Sequence, residues 1–317
     1  MIDVDIVILS WNRAKMTLEA IASVLLQKDV NVFVWIVDQG SEQQELRKIK
    51  KFTSGYSNIK IIELDKNVGV AAGRNIGMRL GKGKYIFNLD NDAVFASPYA
   101  LKKAVDRFIK DEGIGIIGFR IKNFYSGQDD ELSWVYPKLQ RKIRDQEFVT
   151  TRFIGGGHGI LREVFEKCEG YDDNLFFYWE EVDLSYQAIN LGYKIIYFPD
   201  VVILHKVSPE VRLEWKNGRY YYLVRNRIYL QFKFERKIFA TVILAIGYLV
   251  KGIYNFLPLQ ALKGIGAAFV MCVRLWPTFR NKQRLTNGAY AYINKYELHF
   301  RGSLLERLRQ EVFVKLP

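Results

Sequence analysis

Cysteine is almost missing from this chain: two in 317 residues, with seven prolines and three histidines. Cys168 and Cys272 stand far apart in unlike contexts, so neither a disulfide framework nor a cysteine-based zinc site can be built from them. A reducing, cytoplasmic compartment fits that usage. The first residues, MIDVDIVILSWN, lack a basic stretch followed by an apolar core and a small-residue cleavage site, so no secretory signal is expected. No uncharged run reaches the roughly 18–20 residues that a spanning helix needs. There is no internal repeat and no low-complexity segment.

What is present divides in two. Residues 1–205 carry 27 Lys and Arg against 28 Asp and Glu, a net −1, whereas residues 206–317 carry 20 against 6, a net +14. A nearly neutral domain, 1–205, is therefore joined to a basic tail region, 206–317, and such asymmetry points the tail toward a polyanion, either nucleic acid or an anionic membrane.

Within the neutral part, apolar runs at Val4–Leu9, Val32–Val37, Ile59–Leu64, Tyr85–Leu89 and Lys194–Phe198 read as strands. Ala14–Leu26, Ala71–Leu80 and Glu180–Leu191 read as helices. Strands alternating with helices predict an α/β fold, a mostly parallel sheet covered on both faces, with ligands outside the C-terminal strand ends. Gly155–Gly159 is expected to be a tight, flexible loop. In the tail, Tyr220–Phe234 mixes aromatics with arginines, and Ile238–Val250, Gly252–Leu262 and Gly264–Val273 are uncharged. These runs fit either buried helices or helices lying in a membrane interface. The second reading expects Phe239, Leu244, Leu249, Phe256 and Leu257 to enter lipid.

Several motifs fall at predicted strand ends. Asp90-Asn91-Asp92 places two carboxylates where they can share a hard divalent cation that also holds phosphate oxygens, although Asp/Asn turns are common. Asp38 ends another strand, in reach of a nucleobase or ribose. Asn67 through Asn75 enters a helix with glycines that permit close backbone approach, and Arg74 offers a cation to a diphosphate. Glu180, Glu181 and Asp183 open a helix, where acids favour the dipole. The preceding Phe176-Phe177-Tyr178-Trp179 also suits a sugar site and a raised carboxyl pKa.

The ordered set resembles the inverting family 2 glycosyltransferases of GT-A (Rossmann-like) fold, over roughly residues 4–205. Its elements are Ser10-Trp11-Asn12-Arg13, Val37 through Ser41, Asn67 through Gly77, Leu89 through Asp92, Gly156 through Arg162, Trp179 through Leu184, Gly192-Tyr193 and His205. Within that family the pattern is most similar to bacterial, rhamnosyltransferase-like members that build surface polysaccharides. The resemblance implies that Ser10, Asn12, Arg13, Asp38, Asn67, Gly69, Arg74 and Asp90 bind a UDP- or dTDP-type sugar. It further implies that Asp92, Asp90 and His205 serve a Mg²⁺ or Mn²⁺ ion. Glu181, or its neighbour Glu180, would be the general base, and His158, Trp179 and Asp183 would face a glycan or lipid-linked acceptor. Three departures stand out: Asn91 where a third Asp is frequent, Glu181 where Asp is usual, and Gln187 where Arg is common.

The expected activity is metal-dependent transfer of a sugar to a hydroxyl with inversion, by a protein on the inner face of the cell membrane. A homo-oligomer stays open. A nucleotidyltransferase would want a basic, glycine-rich loop near the N-terminus, which Ser10–Ala14 lacks. A nucleic-acid-binding tail conflicts with the uncharged runs inside it, so no nucleic-acid partner is expected. The unusual Glu181 also leaves open an inactive scaffold.

Overall fold

A computed structural model describes residues 2–206, 218–281, 284–303, 306 and 312–316. The expectations for the tail that fall on 207–217, 282–283, 304–305, 307–311 and 317 lie outside the described residues. The chain divides into two compact units. The first is Met1–Tyr136, Gln140–Phe176 and Glu180–Val207, and the second is Pro137–Leu139, Phe177–Trp179 and Ser208–Pro317.

The first unit is built on one nine-stranded sheet. Its strands are β1 (Ile2–Ser10), β2 (Val30–Gln39), β3 (Ile59–Leu64), β4 (Tyr85–Asp90), β5 (Ala93–Phe95), β6 (Ile114–Asn123), β7 (Phe148–Thr150), β8 (Gly157–Leu161) and β9 (Lys194–His205). The order is β3-β2-β1-β4-β8-β6-β9-β5, with β7 also on β9. The pairs from β3 to β4 are parallel, as is β6 with β9, while β8, β5 and β7 run antiparallel to their neighbours. The helices α1 (Ala14–Leu25), α2 (Gln43–Thr53), α3 (Val70–Leu80), α4 (Ala100–Lys110), α5 (Arg162–Lys167) and α6 (Glu180–Asn190) complete the unit. β1 shows why the sheet needs cover: Val4, Ile6, Val7 and Ile8 are all buried, so both of its faces are dry.

Register fixes the functional edge. Ser10 pairs with Asp38 and Leu9 with Asp90, so the last residues of β2, β1 and β4 come side by side at the C-terminal ends of parallel strands.

Two expectations change here. Gly157–Leu161 is not a loop but the buried strand β8. Its glycines serve close packing: a Cβ on Gly157 would lie 2.6 Å from Ile203, and one on Gly159 would lie 2.7 Å from the Phe87 ring. The strand seen over Lys194–Phe198 continues to His205.

The second unit contains α7 (Tyr220–Glu235), α8 (Ile238–Tyr254), α9 (Pro258–Phe279) and α10 (Asn287–Tyr296). Its core joins Tyr220, Val224, Ile228, Leu257, Ala261 and Ala268. Three side chains expected in lipid belong to this interior: Leu257 is buried, and Leu244 and Leu249 pack against the cluster. The uncharged runs do not mark the helix limits either. α9 passes straight through Lys263 and is, by length and composition, long and apolar enough to cross a membrane. A single lysine interrupts an apolar composition without interrupting a helix.

Candidate active site

The acidic pair meets His205 through backbone pairing. Ala93 on β5 lies opposite His205 on β9, and the Lys206 N–H donates to the Asp92 carbonyl at 2.7 Å. The side chains follow: His205 Nε2 is 3.5 Å from Asp92 Oδ1, and Nδ1 is 3.1 Å from Asp130 Oδ2. Arg13 donates to the other Asp92 oxygen at 3.2 Å. Burial opposes a charge on His205, but Asp130 and Asp92 outweigh it and lift the imidazole to about 10. Burial likewise raises the carboxyls, yet His205 holds Asp130 down to about 2 and, with Arg13, lowers Asp92.

Asp92 and His205 fit a divalent ion. One carboxylate oxygen and one imidazole nitrogen already converge, and the positive charge they now attract from Arg13 and a ring proton is what a cation would supply. Among the described residues, no group of three or more His, Cys, Asp or Glu side chains could hold a metal. Mg²⁺ or Mn²⁺ here would therefore need phosphate or water oxygens as well. Asp130 was missed in the sequence because it lies in an irregular stretch with no motif. Ser133 and the Leu132 N–H anchor its carboxylate, and it in turn orients the ring, as second carboxylates do for metal-binding histidines.

Arg74 is the centre of the other half. Its buried guanidinium donates to Asp90 (3.0 Å), Glu181 (3.3 Å) and the Gly155 carbonyl (2.9 Å). It ties the acidic motif to the helix that carries the two glutamates. Glu180 is buried and its Oε2 finds no hydrogen-bond partner among the described residues, whereas Glu181 keeps 19% side-chain exposure. Burial pushes both carboxyls up. The neighbouring Glu181 adds to the rise at Glu180, and Arg74 opposes it at both. Gly155 leaves room for this approach, since a Cβ there would stand 2.1 Å from Glu181 Oε1 and displace that carboxylate.

Arg74→Met should therefore move the acid limb of kcat/KM to higher pH, because Glu181, the expected base, loses the charge that favours its ionised form. Arg74→Lys should keep the limb near its original position while lowering turnover, since one ammonium cannot reproduce the fork. An unmoved limb in folded Arg74→Met would contradict the link between Arg74 and the base.

Of the residues expected on the nucleotide side, Asp38 and Asn12 are joined through Ser41. Asp38 accepts from the Ser41 N–H (2.9 Å) and hydroxyl (2.5 Å), and Ser41 Oγ accepts the Asn12 N–H at 2.7 Å. Ser10 Oγ lies 3.3 Å from Thr17 Oγ1. Asn12 and Arg13 both take left-handed backbone, φ 55°. Asn67 caps the Gly69 N–H at 2.8 Å, and Gly69 has φ +92° with no room for a Cβ beside Phe176.

The acceptor-side expectations need revision. His158 is wholly buried, with Nε2 2.9 Å from the Tyr171 hydroxyl and Nδ1 near the Ile154 and Gly155 carbonyls, and burial keeps it neutral. It supports the floor and cannot reach an acceptor. Asp183 is also buried and accepts from Gln187 at 2.8 Å, so the departure at 187 is an internal contact. Trp179 belongs to the second unit, where Nε1 donates to the Leu223 carbonyl and Arg227 lies over its ring.

Residues 5–169 match Glycosyl transferase family 2, and the chain belongs to that family. It is similar to the dTDP-rhamnosyl transferase RfbF of Shigella flexneri, with 27% identity across 71% of this chain and 78% of that one. It also matches an uncharacterized glycosyltransferase of Rickettsia felis at 39% identity, over 52% of this chain but only 24% of that protein. Among solved structures, the mannosyltransferase PcManGT from Pyrobaculum calidifontis, in complex with GDP-Man and Mn²⁺, superposes with TM-score 0.56 at 17% identity, covering 92% of this chain and 86% of that one. The fold is thus of GT-A type and the protein is a glycosyltransferase.

Proposed function

We propose that this glycosyltransferase moves a sugar from a nucleoside diphosphate to a hydroxyl of a glycan or lipid-linked acceptor, with inversion, in building a surface polysaccharide. The observation that carries the reading is the chain of contacts Asp130–His205–Asp92 and Asp90–Arg74–Glu181 beside the strand-end corner of Ser10 and Asp38. Glu181, the less buried of the two glutamates, takes the proton from the acceptor hydroxyl. The acceptor oxygen then bonds to the anomeric carbon as the bond to the diphosphate oxygen breaks. Burial raises the proton affinity of Glu181, which strengthens it as a base, while Arg74 opposes the rise and favours the ionised form. Asp92 and His205 would hold the divalent ion, which supplies Lewis-acid stabilisation of the leaving diphosphate. Asp38, through Ser41 and Asn12, shapes the corner for the nucleotide. Rhamnosyl transfer from a dTDP sugar is the first donor to test, given the likeness to RfbF.

A thermal-shift screen of nucleotide sugars with and without Mn²⁺ tests this directly. One donor class should raise the melting temperature by several degrees only when Mn²⁺ is present, and should release its nucleoside diphosphate. No shift with any donor, together with a salt-sensitive nucleic-acid complex, would overturn the reading.

A further inference from the structure

In the second unit, α8 is apolar on two opposite faces. One face, with Leu244, Ala245, Tyr248 and Leu249, packs against the core cluster. The other carries Ile238, Val242, Ile246, Val250 and Ile253 at steps of three or four residues, flanked by Phe239 and Ile243, and all of these are exposed. Gly252 is the only fully buried residue of the helix. A helix at a water surface turns polar residues outward, and one that is apolar all round needs a second apolar medium. α9 repeats the pattern. Ala261, Gly264, Ala268 and Met271 face inward, while Leu259, Leu262, Phe269 and Val273 line an exposed stripe. Between the helices, Phe256 is 82% exposed and has φ +59°.

We propose that the outer stripes of α8 and α9, with Phe256 at their elbow, enter the acyl region of an anionic bilayer. Charge selects lipid over a second copy of the chain. The region from 206 onward is +14, and two copies would bring like charges together, whereas anionic headgroups neutralise them. Exposed cations also flank the stripes at the right places. Lys237 precedes α8, Lys263 interrupts α9 on its exposed side, and Lys315 lies 5.2 Å from the Phe256 ring. Apolar stripes edged by lysines are the arrangement of helices that lie in a membrane interface. α8, with 17 residues, is about 26 Å long and falls short of a ~30 Å hydrocarbon core. α9 has the length to cross, but its Ala261–Ala268 face is packed in the core of the second unit, so only its outer stripe is free to meet lipid and both helices lie along the surface. This reading stands independently of the donor, the metal and the chemistry.

The experiment is flotation of the full chain with vesicles of phosphatidylglycerol and phosphatidylcholine, beside pure phosphatidylcholine. The wild type should float with anionic vesicles at low salt and be retained only in part at high salt. Ile243→Glu with Ile246→Glu should lower the partition by at least about tenfold, with an unchanged melting temperature. Should that variant misfold, the wild type still decides: brominated acyl chains should quench its tryptophan fluorescence, and Trp276→Phe, on the exposed side of α9, should reduce that quenching. A wild type left unbound by anionic vesicles overturns the proposal. So does a folded double variant that floats as well as the wild type, or a vesicle-blind dimer that the double variant turns into monomer.

Discussion

Glu181→Gln is expected to lower turnover at least about a hundredfold, the usual scale for a lost general base and equivalent to about 2.7 kcal/mol of barrier. Donor affinity should survive within a few-fold, because Asp38, Asn12 and the Asp92 group are untouched. Glu180→Gln should be mild in turnover. The two glutamates differ physically: Glu180 is sealed in, with an oxygen that finds no partner, while Glu181 keeps exposure and an arginine. A separate consequence follows for stability. The folded state holds the Glu180 proton to a higher pH than the unfolded chain does, so stability falls as pH rises from the ordinary carboxyl range toward the raised value. Gln cannot ionise, so melting temperatures of Glu180→Gln at pH 5 and pH 8 should differ less than those of the wild type. Steady-state kinetics of both variants settles the assignment. A crippled Glu180→Gln beside an active Glu181→Gln would reverse the roles.

The second large effect belongs to Asp92. Asp92→Asn should abolish Mn²⁺-dependent turnover, by about a thousandfold or more, while leaving the fold intact. The carboxylate meets both His205 and Arg13 at the end of the strand pairing. Asn keeps the shape but loses the charge that a hard cation requires. Titration of Mn²⁺ with a nucleoside diphosphate, followed by calorimetry, reads the same loss without needing catalysis. Activity that persists across a range of Mn²⁺ concentrations would place the ion, or the need for one, elsewhere.

How much of this was legible in the chain depends on whether the signal was local. Strands such as Ile59–Leu64, and helices starting at Ala14 and Glu180, follow from hydrophobic period and could be read directly. Asp38 and Asp90 announced themselves by following apolar runs, because a parallel strand must end where its ligands begin. Gly155 and Gly156 form the expected turn, but Gly157 and Gly159 misled for a physical reason. Glycine marks a turn when the backbone needs positive φ, but here it marks strand β8, where Ile203 and Phe87 leave no space for a Cβ. Likewise β5 is three residues long, too short to carry a period, and the ten residues of β6, IGIIGFRIKN, are broken by Gly115 and Gly118, which weaken a strand pattern.

Long-range partners were hidden altogether. Nothing near Asp130 signals that it will orient His205, and nothing near Arg74 signals that it will pair with Asp90 and Glu181. His158 entered the expected site through the family resemblance, yet burial decides its role. In the tail the sequence showed apolar runs and charge but not direction. Only the packing of α8 separates Leu244 and Leu249, which turn inward, from Ile243 and Ile246, which do not.

The most direct measurement is the configuration of the sugar as it leaves the enzyme. Given a nucleotide sugar that stabilises the protein with Mn²⁺, proton NMR can follow the first-formed product, with a simple alcohol or water as acceptor. A single displacement assisted by Glu181 predicts a product of inverted anomeric configuration, formed before any mutarotation and absent with Glu181→Gln. A product of retained configuration would contradict a single displacement and remove Glu181 from the role of base.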